Sequence, residues 1–578
     1  MTHPLISALQ SEPNESELWQ LLSQMTFTPE QPLLDALVTL SGSARDAQAS
    51  IEQQAGSWVT QIRQAKDQKS TIDELLQEYS LSSQEGVILM SLAEALLRIP
   101  DTPTANALIS DKLSLADWKS HLNRSESFLV NTSTQCLTFA QKIAGLTGQS
   151  SGLRNQVQKF LKTTSLPVIR NAIQQAIKIM GDHFVKGQTI QEALKRSEKE
   201  LAQGYRFSYD MLGEAAMCDQ DAERFEQAYK EGIEALAPFA LGEQAPTISI
   251  KLSALHPYFE TRNEAQVRAQ LGERLLRLCR LAKHHGLAVT IDAEEANRLE
   301  LTLILFKQLL THEELQNWGL LGIAVQAYGK RALPSLMMIR QWAQEQGVEI
   351  PVRLVKGAYW DSEVKWAQQE GLPDYPVFTS KAASDISYLA CAQYLLSAPC
   401  RGKIYPQFAT HNAHSAGAIL ALAGNNKRFE FQRLHGMGGP LYDALMADRP
   451  SHCRIYAPVG RHKQLLPYLV RRLLENSANT SFVHHLYNEQ ISPNQLLVSP
   501  YAQLDDNQRV KPINQVFMPL RQRARGLPAK YHFGLQDWLL ERQPFLDKQW
   551  QAKPLVADQW LETSEPDTVC CPHHVDRI

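Results

Sequence analysis

Between residues 204 and 490 the chain alternates short β-rich runs with amphipathic helical stretches, and no other feature restricts its fold as much. The runs are RFSYDML (206–212), TISIKLS (247–253), LAVTIDA (287–293), LLGIAVQ (320–326), VRLVKGAY (352–359), KIYPQFA (403–409), RFEFQRL (428–434) and CRIYAPV (453–459). Between them lie segments such as AERFEQAYKEGIEAL, QLGERLLRLCRLAKHHG and ALPSLMMIRQWAQEQG, whose apolar residues recur every three or four positions. Strands joined through helices run parallel. Eight of them over about 290 residues match a distorted (β/α)8 TIM-like barrel in size and number. A doubly wound sheet would give the same alternation. In either fold the functional residues belong at the carboxyl ends of the strands.

The flanking sequence reads differently. Residues 1–140 carry helical periodicity almost throughout, as in SELWQLLSQM, TIDELLQEYS and QEGVILMSLAEALLRIP, which predicts an all-α N-terminal region. Pro100 and Pro103 break the last of these before TANALISDKL begins another helix. Residues 141–203 read as a helical linker, 204–490 as the barrel and 491–578 as a weakly periodic linker.

Composition narrows the function class. Hydrophobic residues make up 44% and charged residues 21%, and Lys+Arg minus Asp+Glu is 58 − 61 = −3, so the chain is not a polycation made for nucleic acid. Apolar runs such as Leu301 to Phe306 are far shorter than a membrane span. The N-terminus MTHPLISALQ shows no secretory signal, and the eight cysteines are mostly isolated, as in a reducing compartment. These features predict a cytoplasmic protein.

Polar residues gather at the predicted strand ends: Lys251, Asp292 and Gln326, then Arg353, Lys356, Tyr359 and Trp360, then Thr410, His411 and Asn412, and finally Tyr456. Buried charges that converge need partners, so such a gathering marks either a site or a satisfied structural network. Further on, YLVRRLLENSANTSF (468–482) sets Arg471 and Arg472 four and three residues before Glu475 on one helical face. A surface salt bridge would use the same spacing. So would a cradle for a zwitterion, since Arg takes a carboxylate bidentately and Glu accepts an ammonium N–H. The pair His411 and His414 could serve a metal, but no HExxH motif or third ligand stands nearby. HGMGGP (435–440) is not a GxGxxG fingerprint and reads as a turn, and the adjacent Cys570 and Cys571 lack zinc-finger spacing.

Seven motifs together carry a resemblance: ISIKLSALHP, IDAEEANRLE, AVQAYGKRA, VRLVKGAYWDSE, QFATHNAH, CRIYAPVG and YLVRRLLENSANTSF. In this order they resemble the proline dehydrogenase domain of bacterial proline utilisation A flavoproteins. LAEALLRIPD, within the helical segment at about 70–135, is similar to the stretch that precedes the barrel in that family.

The resemblance implies an oxidoreductase that uses FAD to oxidise L-proline to Δ1-pyrroline-5-carboxylate and passes the electrons to a quinone, with peripheral contact at the inner face of the membrane. It implies a substrate site of Lys251, Asp292, Tyr359, Tyr456, Arg471, Arg472 and Glu475. It implies a flavin site of Gln326, Arg353, Val355, Lys356, Gly357, Trp360, Thr379, Lys381, His411 and Asn412, and no metal. Gly439 stands where the family pattern GMGE has Glu. The first residues do not resemble a ribbon-helix-helix module, so no nucleic-acid partner is expected. The end resembles the approach to an aldehyde dehydrogenase domain, which is expected to follow. The competing readings are a metal-dependent barrel hydrolase using His411, His414, Asp292 and Lys251, and a binding module in which the helical region matters most.

Overall fold

The computed structural model describes residues 3–65, 183–460 apart from position 243, parts of the chain between 468 and 510, and scattered positions elsewhere. All eight β-rich runs contain strands: β1 Arg206–Met211, β2 Thr247–Ile250, β3 Ala288–Ile291, β4 Leu321–Gln326, β5 Ile350–Val355, β6 Ile404–Ala409, β7 Glu430–Leu434 and β8 Cys453–Val459. They pair in sequence order and close when β8 pairs parallel with β1, from Arg206↔Arg454 to Met211↔Val459. Closure excludes the doubly wound alternative, which leaves two open edges.

Four of the eight strands, β1, β2, β3 and β5, end earlier than their runs do, and this matters for the site. β2 stops at Ile250 because a 3-10 turn, Leu252–Ala254, follows Lys251. β5 stops at Val355, so Lys356 to Tyr359 lie in the loop that leads into the next helix.

Five N-terminal helices lie outside the barrel: α1 Pro4–Ser11, α2 Glu15–Met25, α3 Glu30–Leu40, α4 Gly42–Asp46 and α5 Gln48–Gln64. The barrel region then supplies α6 Ile190–Ala202, α7 Asp219–Leu236, α8 Glu264–His284, α9 Leu299–Leu310, α10 Ala332–Gln346, α11 Trp360–Glu370, α12 Lys381–Leu396, α13 Ala413–Ala423 and α14 Gly439–Asp448. Helix α2 starts at a capping box in which Asn14 and Glu17 bond each other's backbone N–H. It packs on α10, α3 packs on α12, and α5 packs on α13 and α14. Polar pins fix this register: Gln54 Nε2 and Trp58 Nε1 both donate to Asp448 Oδ2 at 3.1 Å, and His414 Nε2 lies 3.0 Å from Gln48 Oε1. Among the described residues no helix is long and apolar enough to cross a membrane. The Cys570/Cys571 pair and most of the 66–182 region lie outside the described residues.

The barrel interior is not the usual stack of branched aliphatics. At its amino-terminal end Glu430, with no exposed surface, accepts Nε and Nη2 of Arg454 at 2.7 and 3.1 Å, and Nε2 of Gln407 and of Gln432 at 3.0 Å each. Arg206 adds a longer contact of 3.4 Å. Burial raises the Glu430 carboxyl, but the Arg454 charge and these donors outweigh it and hold the group below the usual carboxylate range. Removing one partner of such a pair leaves the other charged and dry. Glu430→Leu is therefore expected to destabilise the fold by about 3–5 kcal/mol, while Glu430→Leu combined with Arg454→Met recovers most of the loss. Urea denaturation midpoints check this; a single variant as stable as the parent contradicts it.

Candidate active site

A cavity of about 430 Å³ opens at the carboxyl ends of the strands, where the barrel geometry leaves the loops free to supply functional groups. Its floor holds Lys251, Asp292, Arg353 and Tyr456, four of the residues singled out from sequence. They are tied together more closely than strand-end positions alone implied. Lys251 Nζ donates to Tyr456 OH at 2.9 Å and lies 3.4 Å from Asp292 Oδ2. It also reaches Asp210 Oδ2 at 2.5 Å, a residue of β1 with no exposed surface. The Tyr456 hydroxyl is 2.7 Å from both Asp210 Oδ2 and Asp292 Oδ2.

Arg353 is held on three sides. Its Nη1 donates to Asp292 Oδ1 at 2.6 Å, its Nε to Gln432 Oε1 at 2.6 Å, and its Nη2 to Ser208 and Ser249 at 3.1 and 3.0 Å. Gln432 is itself oriented by Glu430, so one polar chain runs from the amino end of the barrel to the cavity floor. Two cations face two carboxylates in this group. Burial pulls Lys251 toward neutrality, but the Asp210 charge foremost outweighs it and keeps the ammonium charged. Burial pushes Asp210 up, and Lys251 offsets this only in part.

Above the floor is a second cationic band. Arg471 grips Glu214 bidentately at 2.6 and 2.7 Å, and its guanidinium carbon lies 5.1 Å from the Tyr359 ring centroid. Arg472 is buried in the same wall, 5.2 Å from the Tyr468 ring centroid. Among the described residues this band shows two guanidiniums and one carboxylate. Glu214 occupies Arg471 in the fork-to-fork manner that any ligand carboxylate would use. Burial raises Glu214, but Arg471 outweighs it and holds the carboxyl below its usual range. Glu475 lies outside the described residues. The expected Arg/Arg/Glu face thus has its two arginines in the cavity, while the carboxylate that Arg471 grips comes from the loop after β1.

The third zone is at the side. Lys356 and Lys381 pinch buried Asp385 at 2.6 and 2.9 Å, and their charges, outweighing burial, hold its carboxyl far below the usual range. Among the described residues this side shows two lysines and one carboxylate. The N-termini of α12 and α13, capped by Ser380 and Asn412, bound the same region. Helix N-termini beside lysines make a donor set suited to phosphate oxygens. His411, Val355 and Trp360 line the cavity nearby, with Trp360 Nε1 donating to the Phe378 carbonyl at 2.7 Å. Gln326 also lines it, but its amide is used as a staple, donating to the Glu294 carbonyl at 2.7 Å and accepting from Ala358 N at 3.2 Å. Gly357 has φ +139°, and a Cβ there would sit 2.1 Å from the Tyr328 ring, so only glycine fits. Thr379 is buried behind the lining, its N–H given to Glu30 of α3 at 3.0 Å. The donor set therefore fits a phosphorylated cofactor beside a small anionic ligand.

His411 and His414 do not come together. His411 accepts from Leu434 N at 3.0 Å beside the cavity, whereas His414 points to Gln48 under α5, where burial lowers its pKa to about 4. Among the described residues no group of three His, Cys, Asp or Glu could hold a metal ion. The HGMGGP segment is a turn into α14, and a Cβ on Gly439 would meet nothing within 4 Å.

Asp210, Glu214, Gln432 and Asp385 escaped the sequence reading. The first three had a signal, since they lie at or just past the ends of β1 and β7, the two runs from which no residue was taken. Asp385 had none, being one acidic residue inside a helix.

Comparison with known proteins places this geometry. A family profile described as "Proline dehydrogenase" matches residues 193–485, and one described as "DNA-binding domain of Proline dehydrogenase" matches residues 71–184. The expectation of no nucleic-acid partner came from the net charge and the first residues, and this second match, on a segment largely outside the described residues, stands against it. "Bifunctional protein PutA" of Klebsiella aerogenes is 44% identical over 500 residues, covering 83% of this chain and 38% of that protein. "Proline dehydrogenase 1" of Bacillus subtilis (strain 168) is 28% identical over 304 residues, covering 52% of this chain and 88% of that protein. A crystal structure of a Bradyrhizobium japonicum proline utilization A mutant superposes with a TM-score of 0.64 at 38% identity, over 92% of this chain and 52% of that one. The chain thus spans about two fifths of the curated bifunctional relative and half of the solved one.

One carboxyl at the cavity rim makes stability depend on pH. Glu294 accepts from Ser253 N at 3.0 Å and from Ser253 Oγ, which clasps the loop after β3 to the turn after β2. Burial foremost, aided by Glu295 and opposed by Arg298 and Ser253, raises its pKa from 4.5 to about 7. The folded state then holds this proton more tightly than the unfolded chain. Its contribution is complete below about pH 4.5 and declines as the pH rises to about 7. Glu294→Gln is expected to remove that decline. Thermal unfolding midpoints across this range should converge toward, then fall below, those of the variant; parallel curves contradict the clasp.

Proposed function

Since the chain belongs to the proline dehydrogenase family, we propose that it binds FAD in the barrel cavity, oxidises L-proline to Δ1-pyrroline-5-carboxylate and passes the electrons to a membrane quinone. The observation that carries this reading is the arrangement of two cationic zones around one small chamber. The Arg471/Arg472 band suits a single carboxylate, and the Lys356/Lys381 side suits a diphosphate. Bound there, FAD supplies the hydride acceptor.

The chain's own residues bind and orient. Proline's carboxylate displaces or shares the place of Glu214 on Arg471, with Arg472 beside it. Tyr359 and Tyr456 wall the ring with aromatic surface, and Tyr456 cannot swing away because Lys251, Asp210 and Asp292 all bond its hydroxyl. Glu475 is the proposed acceptor for the ammonium N–H. Arg353 keeps a positive charge fixed at the floor, where it favours negative charge gained on reduction. Oxidation removes a hydride from the ring carbon next to nitrogen and one proton from the ammonium, leaving a protonated C=N bond that releases its remaining N–H proton to solvent to give the imine. The proposed organisation remains a helical region at 1–140, a linker at 141–203, the barrel at 204–490 and a linker at 491–578. An aldehyde dehydrogenase unit beyond it, a cytoplasmic setting and peripheral membrane contact belong to the same reading. The bifunctional relatives support the second catalytic unit.

The direct test is the visible spectrum of the purified protein. It should show bound flavin, and anaerobic L-proline should bleach it; a colourless protein that takes up no FAD refutes the reading. A second expectation separates the cradle from an ordinary salt bridge. Arg472→Ala should lower kcat/KM for L-proline about 10- to 150-fold with flavin content retained, the equivalent of one hydrogen bond to a charged group. Arg472→Lys should also lose efficiency, because an ammonium cannot reproduce the planar fork. Steady-state kinetics with an artificial electron acceptor decide the matter, and an unchanged efficiency in a folded, flavin-loaded variant ends the cradle idea.

A further inference from the structure

We propose that Arg63, in the last turn of N-terminal helix α5, is a positioning residue for the substrate end of the cavity. Its guanidinium collects backbone carbonyls from one chain reversal: Nε donates to Leu486 O at 2.8 Å, Nη1 to Ile491 O at 2.8 Å, and Nη2 to Asn488 O at 3.1 Å, with His485 O at 3.4 Å. His485 and Leu486 end the short helix α15, Phe482–Leu486, and its first residue, Phe482, is buried and lines the same cavity as Tyr456, Arg471 and Arg472. Five residues make barely more than one turn, too few to sustain themselves. The terminal carbonyls of such a helix need donors, and a cation at that end suits them best.

The rest of the reversal is held by the same N-terminal surface. Ser492 and Gln495 form a capping box that opens α16, Pro493–Leu496, and this helix packs on α5. Tyr501 OH donates to the Ser41 carbonyl at 3.1 Å. Helix α5 is in turn pinned to the barrel by Gln48, Gln54 and Trp58. Phe482 and Leu486 themselves belong to the main hydrophobic core, and Arg63 adds a polar tie between their helix and α5. A loosened wall changes how tightly the chamber closes on substrate and leaves the floor and the phosphate side untouched. The inference rests on the proline reading.

The test compares Arg63→Ala and Arg63→Lys with the parent in the full chain. Arg63→Ala should raise KM for L-proline about tenfold, roughly the loss of one hydrogen bond to a charged group, with kcat and flavin content changed less than about twofold on the same scale. Arg63→Lys should fall between, since an ammonium can still reach some of the carbonyls. Adding Arg63→Ala to Phe482→Ala should raise KM little further, because neighbours acting through one another are not additive. An unchanged KM, an equal fall in kcat, or additive effects of the two substitutions overturns the proposal. If Arg63→Ala fails to fold, Arg63→Lys carries the same comparison. Hydrogen exchange of the amides at 485–491 gives a readout independent of turnover. It should be faster in the variant, and equal rates overturn the proposal even where a parent protein that L-proline does not bleach has already refuted the proline reading.

Discussion

Two cations and two carboxylates face one another in the upper barrel, and the cavity floor depends on that balance. Arg353 spends its guanidinium on Asp292, Gln432, Ser208 and Ser249, while Lys251 bridges Asp210, Asp292 and Tyr456. A charge this far from water costs several kcal/mol unless a counter-charge and hydrogen bonds compensate it. Here they do so for most of the group, although one carboxylate oxygen of Asp210 has no hydrogen-bond partner among the described residues and Lys251 offsets the burial of that carboxyl only in part. A floor largely satisfied keeps its shape whether the chamber is filled or empty, which is what a site that must orient a small ring requires.

Selectivity is then set where charges do not balance. Each of the two outer zones has one more cation than carboxylate among the groups described, Arg471 and Arg472 against Glu214, and Lys356 and Lys381 against Asp385. The two zones differ in form. Guanidiniums offer planar forks, and ammoniums beside helix N-termini offer radial donors. On the proposed reading, a carboxylate belongs to the first and a phosphate to the second.

The barrel was legible because its signal is repeated eight times, and each run contained a strand. Strand ends were less so: Lys356 to Tyr359 read as strand from their β-rich neighbours but lie in a loop. The site was legible where a charged residue interrupts an apolar run near its carboxyl end, as with Lys251, Asp292 and Arg353. Asp210 fits the same pattern and could have been found. Glu214 could have been flagged by its place just past β1, but its pairing with Arg471 could not, because the two lie 257 positions apart and only closure of the barrel joins them. Arg63 was equally hidden, since a helical Arg followed by nothing distinctive reads as solvated surface.

Closure between β1 and β8 has a consequence for how the molecule comes into being. Arg454 reaches the Phe207 carbonyl across 247 positions, and Trp58 reaches Asp448 across 390. During synthesis the N-terminal helices emerge with buried-to-be faces, Leu22, Leu34 and Trp58 among them, hundreds of residues before the surfaces that will cover them. Contacts of such sequence separation form slowly and leave apolar surface exposed in the meantime. The apolar faces of the N-terminal helices therefore stay uncovered until the later barrel helices have been made.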